Sequence, residues 1–342
     1  MGPESLPHLD VYASMHGRFP EEDYVETTKE LARACDSLRF AGALVHFNHR
    51  VPDPWQVASL LIQSSKTFVP MVAVQPYYTS PLALAKTIAS MAFLYGRKVA
   101  LNMVVGSTPG ELRQVHDGLD HDARFERMDE YLDVVRRLLA NETPLDHSGR
   151  YYAYSGLDHF AVAMAEDLLP EIFIAGSSAK AEELSLRHGA ISVTNPEPID
   201  LFAGHAERIH AGARVGVRLG LIARESTEEA WAAAHTYFPV SRAAQINVKL
   251  NGRASDSVWR RNLAKLSARE THDEVYWLGA LLAGGTHSPF LVGAYDQVAE
   301  YLARYLRCGV TQLILASPAA EYVSNARLLT RARSVAALVQ TR

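Results

Sequence analysis

Residues 171–188 read Glu-Ile-Phe-Ile-Ala-Gly-Ser-Ser-Ala-Lys-Ala-Glu-Glu-Leu-Ser-Leu-Arg-His, and this stretch decides the fold class. The short apolar run Glu171–Ala175 predicts a buried strand, whereas Ala179–His188 has the spacing of an amphipathic helix. Gly176–Ser178 joins them and leaves room only for a tight turn. A strand that passes so directly into a helix is half of a β–α–β unit, and such units build parallel sheets.

The same alternation runs along the whole chain. The other predicted strands, each followed by a helix-like run, are Leu9–Met15, Gly42–Phe47, Thr67–Pro76, Lys98–Gly106, Ala190–Thr194, Val215–Ala223 and Gln312–Ala316. Eight strands with helices between them favour a closed barrel over an open doubly wound sheet. No Gly-x-Gly-x-x-Gly follows the first strand, which argues against a dinucleotide-binding fold. The predicted fold class is α/β, a (β/α)8 TIM barrel with insertions.

The length of 342 residues leaves one domain or two open. A single barrel of about 250 residues accounts for it if the surplus lies in insertions. Two irregular excursions, at about 141–170 and 236–283, are the predicted insertions, and a short hairpin is expected around Ser148–Tyr152. The chain is therefore predicted to be one domain over 1–342.

Composition excludes several classes of protein. With 48% apolar residues and a net charge of -4, the chain is neither disordered nor basic enough to favour nucleic acid. No apolar run approaches the roughly 18 residues of a membrane helix, and Met1–Pro7 lacks a signal-peptide pattern. We therefore expect a cytoplasmic protein without a membrane partner. Two cysteines, Cys35 and Cys308, make neither a disulfide framework nor a zinc site.

The turn Gly176-Ser177-Ser178 is the first candidate site. Glycine lets an anion approach the backbone, and serine hydroxyls and free N–H groups at a helix start donate to phosphate oxygens. The alternative is that Ser177 or Ser178 only caps the helix. Both interpretations stay open on the pattern alone.

Arg218 is the second candidate, because residues 215–221 alternate between apolar side chains and Gly216, Arg218 and Gly220. In a barrel strand this arginine points inward, where a desolvated guanidinium needs an anionic or carbonyl partner. That partner is either a substrate or an internal carboxylate. We expect the flanking glycines to leave open volume beside the guanidinium, which favours a pocket.

Two further polar positions stand out. Asn102 lies in an apolar strand and, if buried, must bond a ligand or tie down a loop. His121 lies between two carboxylates at a helix start, which is typical of a catalytic group. The alternative is a capping motif in which Asp122 caps the helix.

The usual signatures of metalloproteases, esterases and nucleotide hydrolases are absent from the sequence. His46, His49 and Asp53 follow the second strand closely. Three such residues on one loop, without a matching fourth, are weak grounds for a metal site. No metal is predicted.

Several segments, in this order and spacing, carry a family resemblance. They are Leu101–Leu112, Leu119–Glu126, Arg136–Leu139, Phe173–Ser178, Arg218 with Arg224-Glu225, and Leu291–Gly293. On these residues the chain, from about Leu9 to Leu338, resembles the bacterial luciferase-like flavin monooxygenases. Within them it is most similar to the two-component alkanesulfonate monooxygenases. The family fold, a (β/α)8 barrel with insertions, agrees with the strand count.

The resemblance implies a cofactor and a reaction. Reduced FMN (FMNH2) would come from a separate NAD(P)H:flavin reductase, O2 would add at the flavin C4a position, and the peroxyflavin would oxidise a small organic substrate. The resemblance also implies a homodimer or homotetramer. A deazaflavin (F420)-dependent oxidoreductase and a flavin-binding protein without turnover are the alternatives.

The resemblance also assigns roles to residues. Those that would contact the cofactor are Gly176, Ser177 and Ser178 at the phosphate, Val74, Gln75, Asn102 and Val104 near the ring, and Phe125. The Val74–Gln75 peptide matches a strained turn that the family packs on the ring. Arg218 and His121 are the predicted catalytic residues.

Departures from the family pattern concern the substrate. The groups that hold a sulfonate are replaced here by Val51, Asn195, Gly220, Ala283 and a residue near Pro318. Since Gly220 and Ala283 remove volume and charge, a bulkier and less anionic substrate is implied. It would be a small molecule or a group tethered to a carrier, rather than an alkanesulfonate.

Overall fold

The computed structural model describes residues 6–15, 23–106, 109–159, 164–209, 214–239, 262, 265–266 and 269–339. Two compact units divide the chain. The amino-terminal unit consists of Gly17–Asp36 and Ala41–Ala190, and the carboxy-terminal unit consists of Met1–His16, Ser37–Phe40 and Ile191–Arg342. The single domain over 1–342 stays a prediction, and most of the insertion expected at 236–283 lies outside the described residues.

All eight predicted strands are present. The strands of the described residues are β1 Asp10–Ser14, β2 Gly42–Val45, β3 Val69–Val74, β4 Ala100–Met103, β5 Leu145–Ser148, β6 Ala153–Leu157, β7 Glu171–Ala175, β8 Ile191–Thr194, β9 Arg214–Arg224, β10 Thr271–His272, β11 Tyr276–Trp277, β12 Phe290–Ala294 and β13 Val310–Leu315. The predicted ones are β1–β4, β7–β9 and β13. Strands β10–β12 are additional to the prediction.

Helices separate these strands as the periodicity predicts. They are α1 Tyr24–Leu38, α2 Pro54–Gln63, α3 Pro81–Tyr95, α4 Pro109–Gln114, α5 His121–Leu139, α6 Ala179–Arg187, α7 Ile199–Ile209, α8 Thr227–Tyr237, α9 Gly279–Leu282, α10 Tyr295–Arg307 and α11 Tyr322–Val339, with 3-10 turns at Glu166–Leu168 and Ala319–Glu321. Asp53 and Ser80 cap α2 and α3, each with a proline in the first turn. None of these helices combines the length and apolar character needed to cross a bilayer.

In the amino-terminal unit β2, β3, β4 and β7 pair in that order, all in parallel. Residues paired across parallel strands share a face, so Ala73 and Asn102 lie side by side. Val74 and Met103 pair on the opposite face, where they pack into an apolar core with α3 and α5. The row that contains Asn102 therefore faces away from these helices.

The hairpin expected around Ser148–Tyr152 is present, since β5 and β6 pair antiparallel on either side of it. Glu130 on α5 holds the tip of this hairpin. Its carboxylate accepts His147 Nε2 at 3.1 Å and the backbone N–H groups of residues 150–152 at 2.8 to 3.2 Å. One half-buried carboxylate thus ties the hairpin to α5.

Strand β9 is the centre of the carboxy-terminal unit. Its first half pairs in parallel with β8 and β13, and its second half, from Gly220 to Arg224, pairs in parallel with β12. Strand β13 also pairs with β1, while β11 joins β12 antiparallel and β10 joins β11. The length of β9, 11 residues, lets it set the register of β8, β12 and β13 together.

The expectation of open volume at the glycines beside Arg218 is wrong. A Cβ on Gly216 would lie 3.1 Å from Val193 Cγ2, and a Cβ on Gly220 would lie 2.2 Å from Phe290 Cε1. The cause at Gly220 is the pairing of β12, which places Phe290 directly opposite. The missing side chain at 220 makes room for a ring of the same chain, and not for a bulkier substrate.

Gly220→Ala is expected to lower the free energy of unfolding by about 1–3 kcal/mol, because the added methyl overlaps the Phe290 ring. Gly204→Ala is the matched control. It lies in α7 with nothing near its added Cβ, and alanine there should raise the free energy of unfolding by about 0.5–1 kcal/mol. Urea denaturation measures both changes. A Gly220→Ala protein as stable as the wild type would contradict this packing.

Candidate functional site

The turn between β7 and α6 is built by close packing and by one cap. Ser178 Oγ accepts Ala181 N at 3.3 Å, so this serine is the N-cap of α6. A Cβ on Gly176 would lie 2.8 Å from Ala181 Cβ, closer than two side-chain carbons approach. Glycine at 176 therefore lets the strand end run directly against the first turn of the helix.

Ser177, in the same turn, has no such structural bond. Its Oγ is buried and finds no hydrogen-bond partner in the part of the chain that the structure describes. A buried hydroxyl left without a partner costs free energy, which an external acceptor would recover. Helix α6, with 9 residues, directs unpaired N–H groups and the positive end of its dipole at this turn. The turn thus has the donors of an anion site.

A second part of the site is the face of β3 and β4 that carries Asn102. Because side chains alternate along a strand, Gln75 follows Ala73 on this face and Val104 follows Asn102. Asn102 is 8% exposed, and its amide has no hydrogen-bond partner among the described residues. The Val74 side chain lies in the core on the other face, and its carbonyl accepts Val104 N at 2.9 Å.

The turn after β3 lacks the strain that the resemblance implies. The Val74–Gln75 peptide is not cis, and neither residue has a positive φ. Instead, the Gln75 carbonyl accepts Tyr78 N at 3.0 Å, and the Tyr152 hydroxyl donates to Pro76 O at 3.3 Å. Hydrogen bonds within the turn and from the hairpin hold this peptide in place.

Asp120, rather than Asp122, caps α5. Its side chain accepts Ala123 N at 2.8 Å, because a capping oxygen bonds the N–H three residues further on. Asp122 lies in the first turn, where its carboxylate bonds His121 Nδ1 at 2.8 Å. This bond lowers the pKa of Asp122.

His121 and Phe125 lie beside the β7–α6 turn. Their ring centroids are 5.0 Å apart. Phe125 Cζ is 4.0 Å from the position that a Cβ on Gly176 would take. The start of α5 and the start of α6 therefore meet where the predicted phosphate site lies.

The loop after β2 is tied to its neighbours by hydrogen bonds. His49 Nδ1 bonds Gln114 Oε1 at 3.0 Å, and its Nε2 bonds the Tyr77 hydroxyl at 3.2 Å. Asp53 Oδ1 accepts Trp55 N at 3.0 Å as the cap of α2. Within the described ranges, no group of three or more His, Cys, Asp or Glu side chains has the spacing of a metal site.

Arg218, on β9 in the carboxy-terminal unit, is half-buried, and its Nε is buried without a partner among the residues that the structure describes. Burial lowers the pKa of its guanidinium to about 10, because the charged form loses water. Arg224 on the same strand is the contrast, since it bonds the buried Glu321 carboxylate at 2.7 and 2.8 Å. Among the described residues, Arg224 forms such an internal ion pair, whereas Arg218 does not.

Two residues that shape the site were not predicted from the sequence. Glu130 holds the hairpin, and Tyr152 links the hairpin to the turn after β3. The Tyr152 contact joins residues 76 positions apart in the chain. Neither periodicity nor motif spacing carries a signal for such a contact.

Comparison of the sequence with known protein families identifies the family of this chain. A family model described as luciferase-like monooxygenase matches residues 10–312. The chain belongs to the luciferase-like monooxygenase family. The resemblance seen in the sequence is confirmed, and so is the prediction of an enzyme, a flavin-dependent monooxygenase.

One relative is similar over most of both chains. It is the 4-(gamma-L-glutamylamino)butanoyl-(BtrI acyl-carrier protein) monooxygenase BtrO of Niallia circulans, 38% identical over 300 residues, which are 87% of this chain and 88% of the relative. This identity supports the family assignment independently of the family model.

Two solved structures share the fold. Riboflavin lyase with modified FMN and riboflavin has a TM-score of 0.72 at 17% identity, with 96% of this chain and 92% of that chain covered. The oxygenating constituent of 3,6-diketocamphane monooxygenase from Pseudomonas putida, in complex with FMN, has a TM-score of 0.67 at 16% identity, with 97% of each chain covered. The predicted (β/α)8 TIM barrel is confirmed.

Glu130→Gln is expected to lower the free energy of unfolding at neutral pH by about 1–3 kcal/mol, because the hairpin tip loses a charged acceptor. Burial alone raises the pKa of Glu130, but the bonds from His147 and the backbone N–H groups lower it below its ordinary value. A carboxyl group whose pKa is lower in the folded state than in the unfolded state stabilises the folded protein at pH values above its ordinary pKa of about 4.3. This stabilisation is lost as pH falls through the pKa of the folded state.

The unfolding free energies of wild type and Glu130→Gln should therefore converge in urea titrations as pH falls below the ordinary carboxyl pKa and through the lower pKa of the folded state. Glu126→Gln is the matched control, since Glu126 contacts the same hairpin from an exposed position and should change stability by about 0–1 kcal/mol. A Glu130→Gln difference that is constant across this pH range would contradict the role of the carboxylate.

Proposed function

We propose that this protein is the oxygenase of a two-component system. It takes FMNH2 from a separate NAD(P)H:flavin reductase and uses O2 to oxidise an acyl group attached to a carrier protein. The observation that carries the proposal is Ser177 Oγ, a buried donor at the amino end of α6 without a partner among the described residues. Beside Gly176 it fits the phosphate ester of FMN.

The phosphate end of the cofactor would be held by Gly176, Ser177 and α6. Gly176 has no side chain to shield its backbone, and the Ser177 hydroxyl is free to donate. The first N–H groups of α6 add further donors. Ser178 Oγ already bonds Ala181 N, so its role is to build the turn.

The ring end would lie on the face of β3 and β4. The Asn102 amide both donates and accepts, which matches the polar edge of an isoalloxazine ring, while Gln75 and Val104 flank it. When bound, reduced FMN supplies the two electrons that reduce O2 to one inserted oxygen atom and one water.

His121 and Phe125 close the phosphate end of this site. The bond from His121 Nδ1 to Asp122 fixes the imidazole ring and leaves Nε2 to hold or move a proton. Phe125, 5% exposed, packs against the imidazole and keeps water from the turn. His121 is the residue we propose for proton transfer, and Arg218 is the one for binding an anionic group of the substrate.

The substrate class is proposed from the relative BtrO, whose name specifies an acyl group on a carrier protein. The packing found at Gly220 agrees with a change of substrate, because Phe290 occupies that position. The protein would work in the cytoplasm as a homodimer or homotetramer. If the substrate is bound to a carrier protein, the predicted insertions at about 141–170 and 236–283 would help to recognise that carrier.

Ser177→Ala is expected to weaken FMN binding by about tenfold, because one hydrogen bond to a charged acceptor is lost. Ser178→Ala is the matched control. It should lower the free energy of unfolding by about 1 kcal/mol through loss of the cap, with a smaller effect on FMN affinity. Fluorescence titration and thermal unfolding separate the two effects. An unchanged FMN affinity in Ser177→Ala would contradict the phosphate assignment.

Oxygen transfer is the direct test of the function. The protein is loaded with FMNH2 without air and mixed with isotopically labelled O2 and a 4-(gamma-L-glutamylamino)butanoyl carrier protein. We expect one labelled oxygen atom in the acyl group, detected by intact-mass spectrometry. The same acyl group on free pantetheine is the control for carrier recognition and should react more slowly. Turnover with reduced deazaflavin in place of FMNH2, or no label in the acyl group, would overturn the proposal.

A further inference from the structure

The geometry points to a subsite formed by Asn195 and Arg218, which binds a carboxylate that has an N–H donor beside it. Such a pair of groups is the head of an amino acid at the free end of the substrate. This inference rests on the proposed function, because it names the part of the acyl group that lies farthest from the carrier.

The register of β8 and β9 brings the two residues together. Val193 pairs with Gly216, and a Cβ on Gly216 would lie 3.1 Å from the Val193 side chain, so both face the same side. Asn195 and Arg218 lie two residues further along each chain segment. Arg218 lies on β9 and projects to that side because side chains alternate along a strand, and Asn195 is the first residue after β8, directly beyond the pair Thr194–Val217.

Each of the two side chains has a polar atom without a partner. Arg218 Nε and Asn195 Oδ1 are both buried, and neither has a hydrogen-bond partner among the described residues. One is a donor on a charged group and the other is a neutral acceptor, yet they do not bond each other. A group that offers an acceptor to the arginine and a donor to the asparagine would satisfy both.

The loop that carries Asn195 is firmly held. The Tyr276 hydroxyl donates to Pro196 O at 2.9 Å, and the Tyr305 hydroxyl donates to Glu197 O at 2.5 Å. Both tyrosines are fully buried. These bonds fix the chain directly after Asn195, so the asparagine meets a ligand without first having to be ordered.

The chemistry of the two groups selects the ligand. A desolvated guanidinium needs an anion, and a carboxylate matches its planar fork. Asn195 Oδ1 accepts, so an ammonium or amide N–H pairs with it, whereas another anionic oxygen leaves it unpaired. A carboxylate with an adjacent N–H is therefore preferred over a sulfonate or phosphate of similar size.

The test is calorimetric binding of three ligands to the FMN-loaded full-length protein. Gamma-L-glutamyl-butylamide has both groups, glutaric acid monobutylamide lacks the amine, and 4-amino-N-butylbutanamide lacks the carboxylate. We expect loss of the carboxylate to weaken binding by about 10–100-fold and loss of the amine by about tenfold. Equal affinities of the three ligands would overturn the proposal, and so would the absence of binding by all three.

Two variants assign each group to its residue. Arg218→Met should remove the preference for the carboxylate and keep the preference for the amine, and Asn195→Leu should do the reverse. Arg214→Gln, at an exposed position of the same strand, is the matched control and should discriminate as the wild type does. A variant that weakens all ligands equally would contradict the assignment, because a structural defect does not discriminate. The ligand comparison on the wild type decides the proposal even if a variant fails to fold.

Failure of this proposal is distinct from failure of the proposed function. Normal FMN affinity, with oxygen transfer to acyl groups that lack an amino-acid head as fast as to those that have one, would remove the subsite and leave the function. Discrimination among the three ligands by the flavin-free protein, together with no FMN binding, would leave the subsite and remove the function.

Discussion

The close approach of Gly176 to Ala181 is the constraint on which the proposed flavin site depends. Because a Cβ at 176 would lie only 2.8 Å from Ala181 Cβ, strand β7 and helix α6 meet with no side chain between them. This contact leaves the two serines of the turn with different roles. Ser178 bonds the helix it begins, while Ser177 is buried with its hydroxyl unused by the described residues. A phosphate site at this turn requires the glycine, the cap and the free hydroxyl together.

Strand β9 carries two arginines with different surroundings, Arg224 in an ion pair and Arg218 without one among the described residues. Arg224 bonds Glu321 through both terminal nitrogens, and the Tyr237 hydroxyl donates to the same carboxylate at 2.9 Å, so that network is closed. Arg218 loses water without gaining such a partner among the described residues. A charged group that loses part of its hydration without gaining a partner is destabilising, so a protein that keeps one has a use for it. In our account that use is binding the substrate.

Sequence patterns predicted the elements that depend on neighbouring residues and missed the contacts between residues far apart in the chain. All eight barrel strands, the helices between them and the 148–152 hairpin follow from periodicity and turn residues, which act over a few positions. The volume beside Arg218 was predicted wrongly, because the pairing of β12 with β9 that brings Phe290 onto Gly220 has no local signal. The cap of α5 is Asp120 and not Asp122 as predicted, since two aspartates so close together could each fill that role. The family resemblance predicts a phosphate site at the β7–α6 turn, but only the structure distinguishes Ser177 from Ser178.

The central claim is that the β7–α6 turn binds the phosphate of FMN, and a comparison of two flavins tests it most directly. Reduced FMN and reduced riboflavin differ only in that phosphate, so their dissociation constants, measured under the same anaerobic conditions, isolate its contribution. We expect reduced FMN to bind at least about tenfold more tightly, because a helix start donates charge-assisted hydrogen bonds to the phosphate. Equal affinity for the two flavins would contradict it.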